Sequence, residues 1–242
     1  MAIAIRCLAA TYYGGFNIHP HRHQWGQLIY AGAGVMRVKA GGTMWIVPPA
    51  RAIWVPAGAE HEIHGLGDFA MRTLYFPVDL TGRLPGACRA LDVTPLLREL
   101  VLELVERCPI DDADQPAMRL AEVAVDCIAE AEILLMQLPL PRDPRALRLA
   151  ERLQAEPAET AELPELARDA GASVRTIQRL FLAETGLPFS RWRQRLRLLH
   201  AAAALGGGMS VTEVGLDAGY SGTSAFIAAF RKHFGVTPSR LS

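Results

Sequence analysis

The sequence carries no net charge and no long apolar run. Its 242 residues include 25 basic and 25 acidic side chains, and half are hydrophobic. Charged residues interrupt each apolar stretch before the roughly 18 residues that a membrane helix needs, so no membrane partner is expected and a soluble chain is. The first ten residues, MAIAIRCLAA, place Arg6 inside the apolar stretch. They lack the long hydrophobic region and small-residue cleavage site of a secretory signal, so the chain is expected to stay in the cytoplasm. Cysteine is sparse. Cys7, Cys88, Cys108 and Cys127 form neither a CxxC pair nor a regular spacing, and in an unexported chain they are expected as reduced thiols in the core.

What is present begins with an asymmetry hidden by the zero sum. From Ala170 onward there are nine basic residues (Arg175, Arg179, Arg191, Arg193, Arg195, Arg197, Arg231, Lys232 and Arg240) and three acidic ones (Glu184, Glu213 and Asp217), a net +6 balanced by −6 in the remainder. A basic C-terminal region points to a local polyanion site on an otherwise neutral protein. The length is also comfortable for two domains, each with its own core.

Between Gln27 and Phe76 the pattern is short, alternating and rich in β-branched and aromatic residues: QLIYA, VMRVKA, TMWIV, AIWVPAG and MRTLYF, separated by glycine and proline. This predicts an antiparallel sandwich or barrel. From Thr94 the period becomes helical. TPLLRELVLELVERC starts with a capping Thr and a Pro at the first helical position, and MRLAEVAVDCIAEAEILLMQL predicts a second helix with a wide apolar face. These two helices either cover their own sheet or form a dimer seam. PLPRDP cannot continue a helix and marks a linker over residues 139–144. Everything after it is predicted helical. The expected class is α+β: an N-terminal antiparallel barrel with helices over 1–138, and an all-α domain over 145–242.

The helical half repeats itself. GASVRTIQRLFLAETG and GYSGTSAFIAAFRKHFG align so that Ala167 and Gly171 match Gly215 and Gly219 at an offset of 48, whereas Ile177, Phe181 and Gly186 match Phe226, Phe230 and Gly235 at 49. Each half is a short helix, a tight turn and a second helix held by apolar residues four apart. That is a helix-turn-helix, in which the second helix enters the major groove. The stretch from Phe189 to Leu205 predicts a joining helix about 25 Å long at 1.5 Å per residue, which sets the two units about one DNA turn apart. The stretches GASVRTIQRLFLAETGLPFSRW and AGYSGTSAFIAAFRKHFGVTPSR closely resemble the two signatures of the AraC/XylS family of bacterial transcription regulators. The resemblance covers the chain from about Pro144 and implies two helix-turn-helix units contacting successive segments of promoter DNA.

In the first recognition helix, Arg175, Thr176, Gln178 and Arg179 lie off the apolar positions Ile177, Leu180 and Phe181. Arginine pairs bidentately with guanine and glutamine with adenine, and by the resemblance Arg175, Gln178 and Arg179 occupy base-reading positions. The second helix departs from the family pattern. Gly222 stands where many members have an acidic residue, and Ala228 where they have an arginine. Thr223, Ser224 and Ile227 are left on its outer face, with Arg231 and Lys232 supplying charge. Base reading is expected mainly in the first unit. Arg191, Arg193, Arg195 and Arg197 alternate along the joining helix and cannot share one face. Some are expected at phosphates and others at the first domain, with Trp192, Leu196 and Leu199 in the core.

The other constellation is HPHRHQWGQLIYAGAG, followed by VPAGAEH. His21 and His23 face one side of a strand, and His61 follows a turn that a neighbouring strand could bring close, so their imidazoles could converge on one divalent metal such as zinc, nickel, iron or manganese. With Gly34, the pattern resembles the two motifs of the cupin barrel, except that Gln27 replaces the usual glutamate. His19 and His64 are nearby spares. The neutral amide weakens a divalent site and argues against redox chemistry. A metal-free pocket for an organic effector is the competing reading. The combination of cupin and double helix-turn-helix resembles the cupin-type AraC regulators, including the nitroimidazole-resistance repressor group. It implies a homodimeric DNA-binding regulator, activator or repressor, that senses a small molecule or metal. The alternative is a metal-dependent cupin enzyme with an accessory helical domain.

Overall fold

The computed structural model describes residues 3–240. They form two compact units, one comprising residues up to 41 together with 45–136, the other residues 42–44 together with those from 137 onward. In the first unit, strands β1 (Ile3–Tyr12), β2 (Asn17–His21), β3 (Gly26–Ala33), β4 (Met36–Ala40), β5 (Thr43–Val47), β6 (Arg51–Val55), β7 (His61–Gly65), β8 (Phe69–Phe76) and β9 (Arg89–Asp92) come first. Helix α1 (Pro95–Arg107), the short β10 (Ile110–Asp111), helix α2 (Gln115–Glu130) and the short β11 (Ile133–Leu134) follow. One antiparallel sheet has the order β10-β1-β8-β3-β6-β9-β11. A second contains β5-β4-β7-β2. The barrel is made by these two sheets facing each other, with Gln27 of β3 reaching His61 of β7 at 2.9 Å.

The burial of each strand follows from what covers it. β4 alternates between buried and half-buried residues, as a strand with one covered face should. β3 is buried continuously from Gly26 to Ala31, because the opposite sheet covers one face and the helices the other. Leu97, Leu100, Val101 and Leu104 of α1, and Ala117, Ala121, Ala124, Val125 and Ile128 of α2, pack in one cluster with Ile5, Leu28, Trp54, Leu74 and Phe76. The helices therefore cover their own sheet. α1 begins as expected, with the Thr94 side chain accepting from the Leu97 N–H.

Two expectations are corrected. The run from Met118 to Leu138 is not one helix: α2 stops at Glu130, and Ile133 and Leu134 pair with Leu91 and Ala90 to extend the sheet. The apolar tail EILLMQL is better satisfied as an edge strand than as one more helical turn. Cys7 and Cys108 are joined by a disulfide, leaving only Cys88 and Cys127 as free thiols. The partners are 101 residues apart, and the pairing of β1 with β10 together with the packing of α1 against β1 brings their surroundings together. The opening residues, read only as a non-signal, form β1, whose register along β8 runs from Arg6 opposite Tyr75 to Tyr12 opposite Phe69.

The second unit begins with the short strand β12 (Gln137–Pro139) and continues with α3 (Pro144–Ala155), α4 (Leu163–Asp169), α5 (Val174–Thr185), α6 (Phe189–Gly206), α7 (Val211–Asp217) and α8 (Thr223–Phe234), closing on a 3-10 turn at Pro238–Arg240. Residues after β12 are tied down: the Glu184 carboxylate accepts from the backbone N–H groups of Arg142 at 2.6 Å and Asp143 at 2.9 Å. The Asp143 side chain then caps α3. The repeat is exact in element length. α4 and α7 have seven residues each, α5 and α8 twelve each, and the extra residue falls in the second turn. Both recognition helices end at a glycine in the left-handed region, Gly186 at φ 71° and Gly235 at φ 74°, where a side chain would be strained. Trp192 and Leu199 are fully buried and Leu196 is 1% exposed, as their spacing predicted. Phe181 packs edge-on against Phe189 and Trp192, and Phe226, Phe230 and Phe234 form a continuous row of edge-on and tilted contacts.

Among the described residues, no helix is long and apolar enough to cross a membrane.

Candidate functional site

In the second unit the two recognition helices bury one stripe and present the other. α5 buries Ile177, Leu180, Phe181 and Thr185. Arg175, Gln178 and Arg179 are exposed and Thr176 is half-buried. Thr176 is bound to the helix cap: its N–H donates to the Ser173 hydroxyl oxygen, and the two hydroxyls lie 2.9 Å apart. Neither Arg175 nor Arg179 has an ion pair or hydrogen bond among the described residues. A guanidinium left free on a helix face has its whole donor fork available to a base edge or phosphate. Leu182, 54% exposed, lies one turn beyond Gln178 on the same side. An apolar residue at helical spacing reads as core, so its exposure carries no signal in the sequence.

On α8, Phe226, Phe230 and Phe234 are buried, Ser224, Arg231 and Lys232 exposed, and Thr223 and Ile227 half-buried. Thr223 is held by a long 3.5 Å hydroxyl contact to Thr212. This face carries no side chain capable of bidentate pairing before Arg231. The difference between the two helices expected from the sequence is therefore present in the outward-facing side chains.

The joining-helix arginines divide differently from expectation. Arg193 and Arg197 hold the loop after α3. Arg193 donates to the carbonyls of Ala161 at 2.8 Å and of Glu159, and Arg197 donates to Glu159 at 2.9 Å and Pro157 at 3.4 Å. They act as struts within the unit. Arg191 is exposed and donates to Gln194 at 3.3 Å. Arg195 is half-buried, with Nε and Nη2 unpartnered among the described residues. It lines a cavity of about 430 Å³ with Arg191, Lys232 and His233. Burial, reinforced by the Arg195 charge, pushes His233 down to about 4. At neutral pH the cationic groups of this cavity are therefore the two arginines and the lysine. Sequence spacing could not separate Arg195 from Arg193 or Arg197, since the partners of each are set by the tertiary fold.

In the first unit the strands bring His21, His23 and His61 together, with one ring nitrogen from each inside a 4.8 Å sphere of mutual separation. Register explains it: His21 at the end of β2 pairs with His61 at the start of β7. The Nδ1 atoms of His21, His23 and His61 lie 2.8, 2.8 and 2.9 Å from the carbonyl oxygens of His19, Trp25 and Ala59. A carbonyl only accepts, so each Nδ1 carries a proton, and in the neutral ring the other nitrogen offers a lone pair. Gln27 is buried at 1% exposure. Its Oε1 sits 3.0 Å from His23 Nε2 and 2.9 Å from His61 Nε2. Burial pushes His61 down to about 4, with the neighbouring His21 and His23 adding to the effect and the Ala59 carbonyl opposing it.

Neutral imidazoles anchored through Nδ1, with lone pairs turned to one focus and an amide oxygen beside them, fit a divalent cation. The glycine of the motif is also required. Gly34 has φ 66°, and a Cβ there would fall 2.1 Å from the Asp68 carbonyl. The spare histidines stay out of the cluster. His19 is exposed, while His64 is engaged by Asn17 at 2.8 Å and Glu62 at 3.1 Å.

Comparisons with known proteins agree with this division. Residues 3–139 match the AraC-like ligand binding domain and residues 166–242 a helix-turn-helix domain. The HTH-type transcriptional regulator NimR of Escherichia coli K12 is 34% identical over 221 residues, covering 91% of this chain and 80% of NimR. The HTH-type transcriptional regulator RipA of Corynebacterium glutamicum is 42% identical over 101 residues, 42% of this chain and 30% of RipA. The crystal structure of ToxT from Vibrio cholerae with bound unsaturated fatty acid covers 98% of this chain and 93% of its own at 9% identity and a TM-score of 0.40, a superposition too loose to argue from. An outward-facing double helix-turn-helix, a histidine-lined barrel and a relative aligned along nine-tenths of the chain lead to one assignment: the chain belongs to the AraC family of helix-turn-helix transcriptional regulators.

Proposed function

We propose that residues 145–242 bind promoter DNA through α5 and α8, and that residues 1–138 sense a small molecule or divalent metal at His21, His23, Gln27 and His61. Arg175, Gln178 and Arg179 read base edges, joined by Thr176 and by Leu182 at a thymine methyl. Thr223, Ser224 and Ile227 make sparse contacts to phosphates and thymine methyls, with Arg231 and Lys232 neutralising the backbone. Arg191 and Arg195 add phosphate contacts from the joining helix. The observation that carries this reading is the pair of matched recognition helices whose outward arginines have no side-chain partner among the described residues. A bound effector acts through its differential affinity for two states of the protein. Regulation takes place in the cytoplasm, and the chain works without catalysis as a homodimer. Leu96 and Val123, exposed on α1 and α2 at 57% and 43%, are apolar side chains those helices leave for a second copy, a state that sedimentation at micromolar concentration tests.

DNA binding is tested by fluorescence-anisotropy titration of a duplex selected by the protein from random sequence. Sequence-selective binding whose affinity falls steeply with salt is expected. Binding indifferent to sequence would leave an architectural role, and no binding would favour a metal-dependent enzyme.

For the sensor, convergence of three imidazoles favours a metal over an organic effector alone. Metal analysis of the purified protein, with and without His21→Ala, tests it: stoichiometric metal lost in the variant is expected.

A further inference from the structure

The chemistry of the histidine cluster depends on which end of the Gln27 amide faces it. A glutamate has two equivalent oxygens, whereas a glutamine has one end that a cation attracts and one that it repels. The Thr73 hydroxyl decides between them. Its hydrogen is committed to the Leu28 carbonyl at 2.9 Å. Its oxygen is then open only to a donor, which Gln27 Nε2 supplies from 2.9 Å. Turned over, the amide would set Oε1 against Thr73 Oγ1, two acceptors competing for one hydrogen. Both residues are buried, Thr73 fully and Gln27 to 1% exposure, so water cannot replace the missing bond. In the metal-free site the turned amide regains it by donating from Nε2 to the His23 and His61 nitrogens, but with a cation at their focus it does not, so Thr73 holds the oxygen inward in the metal-bound state. Oε1 is thereby held beside the His23 and His61 nitrogens, where every facing atom of the neutral site is an acceptor.

We propose that Thr73, by fixing the Gln27 amide with its oxygen toward the histidines, completes a divalent-metal site of wholly neutral ligands, whose bound cation takes an anionic oxygen donor of the carboxylate class as its effector. The inference rests on the metal reading of the sensor. Among the described residues, the potential metal-binding group contains only His21, His23 and His61, with no Asp or Glu. Glu62 is paired with Lys39 at 3.3 Å and His64 at 3.1 Å. Three imidazoles and an amide leave the charge of a dication uncompensated, and in a half-buried site such a charge draws in an anion. Replacing the glutamate of the cupin motif by Gln27 thus moves the negative charge from the protein to the ligand. Thr73 is the positioning residue that makes the exchange workable.

The test uses the full chain and a fluorescent chelator competing for Zn²⁺. Thr73→Val is expected to weaken zinc binding about tenfold or more, the range for loss of an outer-shell partner, and Thr73→Ser to stay close to wild type. In a Gln27→Glu background the Thr73→Val loss should vanish, because a carboxylate has no wrong end. As a second readout, acetate titrated into the Co²⁺-loaded protein should change the visible absorption saturably in the wild type, and about tenfold more weakly in Gln27→Glu.

Unchanged zinc affinity in Thr73→Val, or an equal loss in the Gln27→Glu background, would overturn the positioning role. An acetate-insensitive cobalt spectrum would overturn the anionic effector. A wild-type protein that takes up neither metal would instead bring down the metal reading itself, so the two failures are distinguishable.

Discussion

The two units prepare for their partners in opposite ways. In the barrel the three clustered histidines are anchored: the Nδ1 atoms of His21, His23 and His61 face backbone carbonyls, and one nitrogen of each lies within a few ångströms of the others. In the helical unit the reverse holds, since Arg175, Arg179, Arg231 and Lys232 are exposed and engage no partner among the described residues. On the proposed reading the barrel would bind by enclosing, with donors already placed, and the helices by presenting exposed cations. Loss of one group should be severe and local in the first case, graded and salt-dependent in the second.

The sharpest contrast comes from removing one member of each set. His61→Ala should lower zinc affinity by at least about 100-fold, more than an outer-shell change, read by chelator competition. The same variant should leave salt-dependent binding to unselected duplex unchanged; if that binding collapsed too, the two sites would not be separable.

Arg179→Ala comes next in size. It should cost about 1–3 kcal/mol on the selected duplex and relax preference at one base pair, measured by mobility-shift titration against single-base variants. An unaltered preference would remove α5 from base reading.

Arg195→Gln should weaken binding several-fold and equally for all sequences, lowering the slope of log affinity against log salt by about 1. A sequence-dependent loss would assign Arg195 to bases instead of phosphates.

The smallest effect is on stability with pH. His61 and His233 are each pushed to about 4 from an ordinary value of about 6.5. The unfolded chain therefore binds protons first, so stability is full above about 6.5 and declines as pH falls toward 4. Thermal melts across that window should show the decline, smaller in His233→Gln. Zinc should steepen the share due to the histidine cluster, because bound metal keeps those imidazoles unprotonated while the unfolded chain takes up protons, and leave that of His233, whose pKa is set by burial and by Arg195.

How far these features are legible in the sequence follows the same division. The helix-turn-helix repeat is visible because it depends on local period: Ile177, Phe181, Phe226 and Phe230 recur at helical spacing, and glycines at fixed offsets end each helix. The outward face is simply what the apolar stripe leaves over. Leu182 breaks that rule, an apolar side chain left exposed on the outward side. In the barrel, the HxH pair and His61 are readable as a motif, but their convergence requires β2 to pair with β7, and Thr73 carries no signal until β8 is placed beside β3. The tail after Glu130 misleads because an edge strand and a helix extension share the same apolar composition; pairing of Ile133 with Leu91 decides it. Arg193, Arg195 and Arg197 look alike in sequence, yet two brace the loop after α3 and one lines a cavity with Lys232.

The most direct measurement is selection of duplexes from random sequence by the full chain, followed by single-base scanning of both half-sites. The expected outcome is two half-sites about one helical turn apart, with strong base preferences confined to the half read by α5 and abolished there by the Arg175→Ala/Arg179→Ala pair. Equal preferences in both halves, or a motif unchanged by that pair, would contradict it.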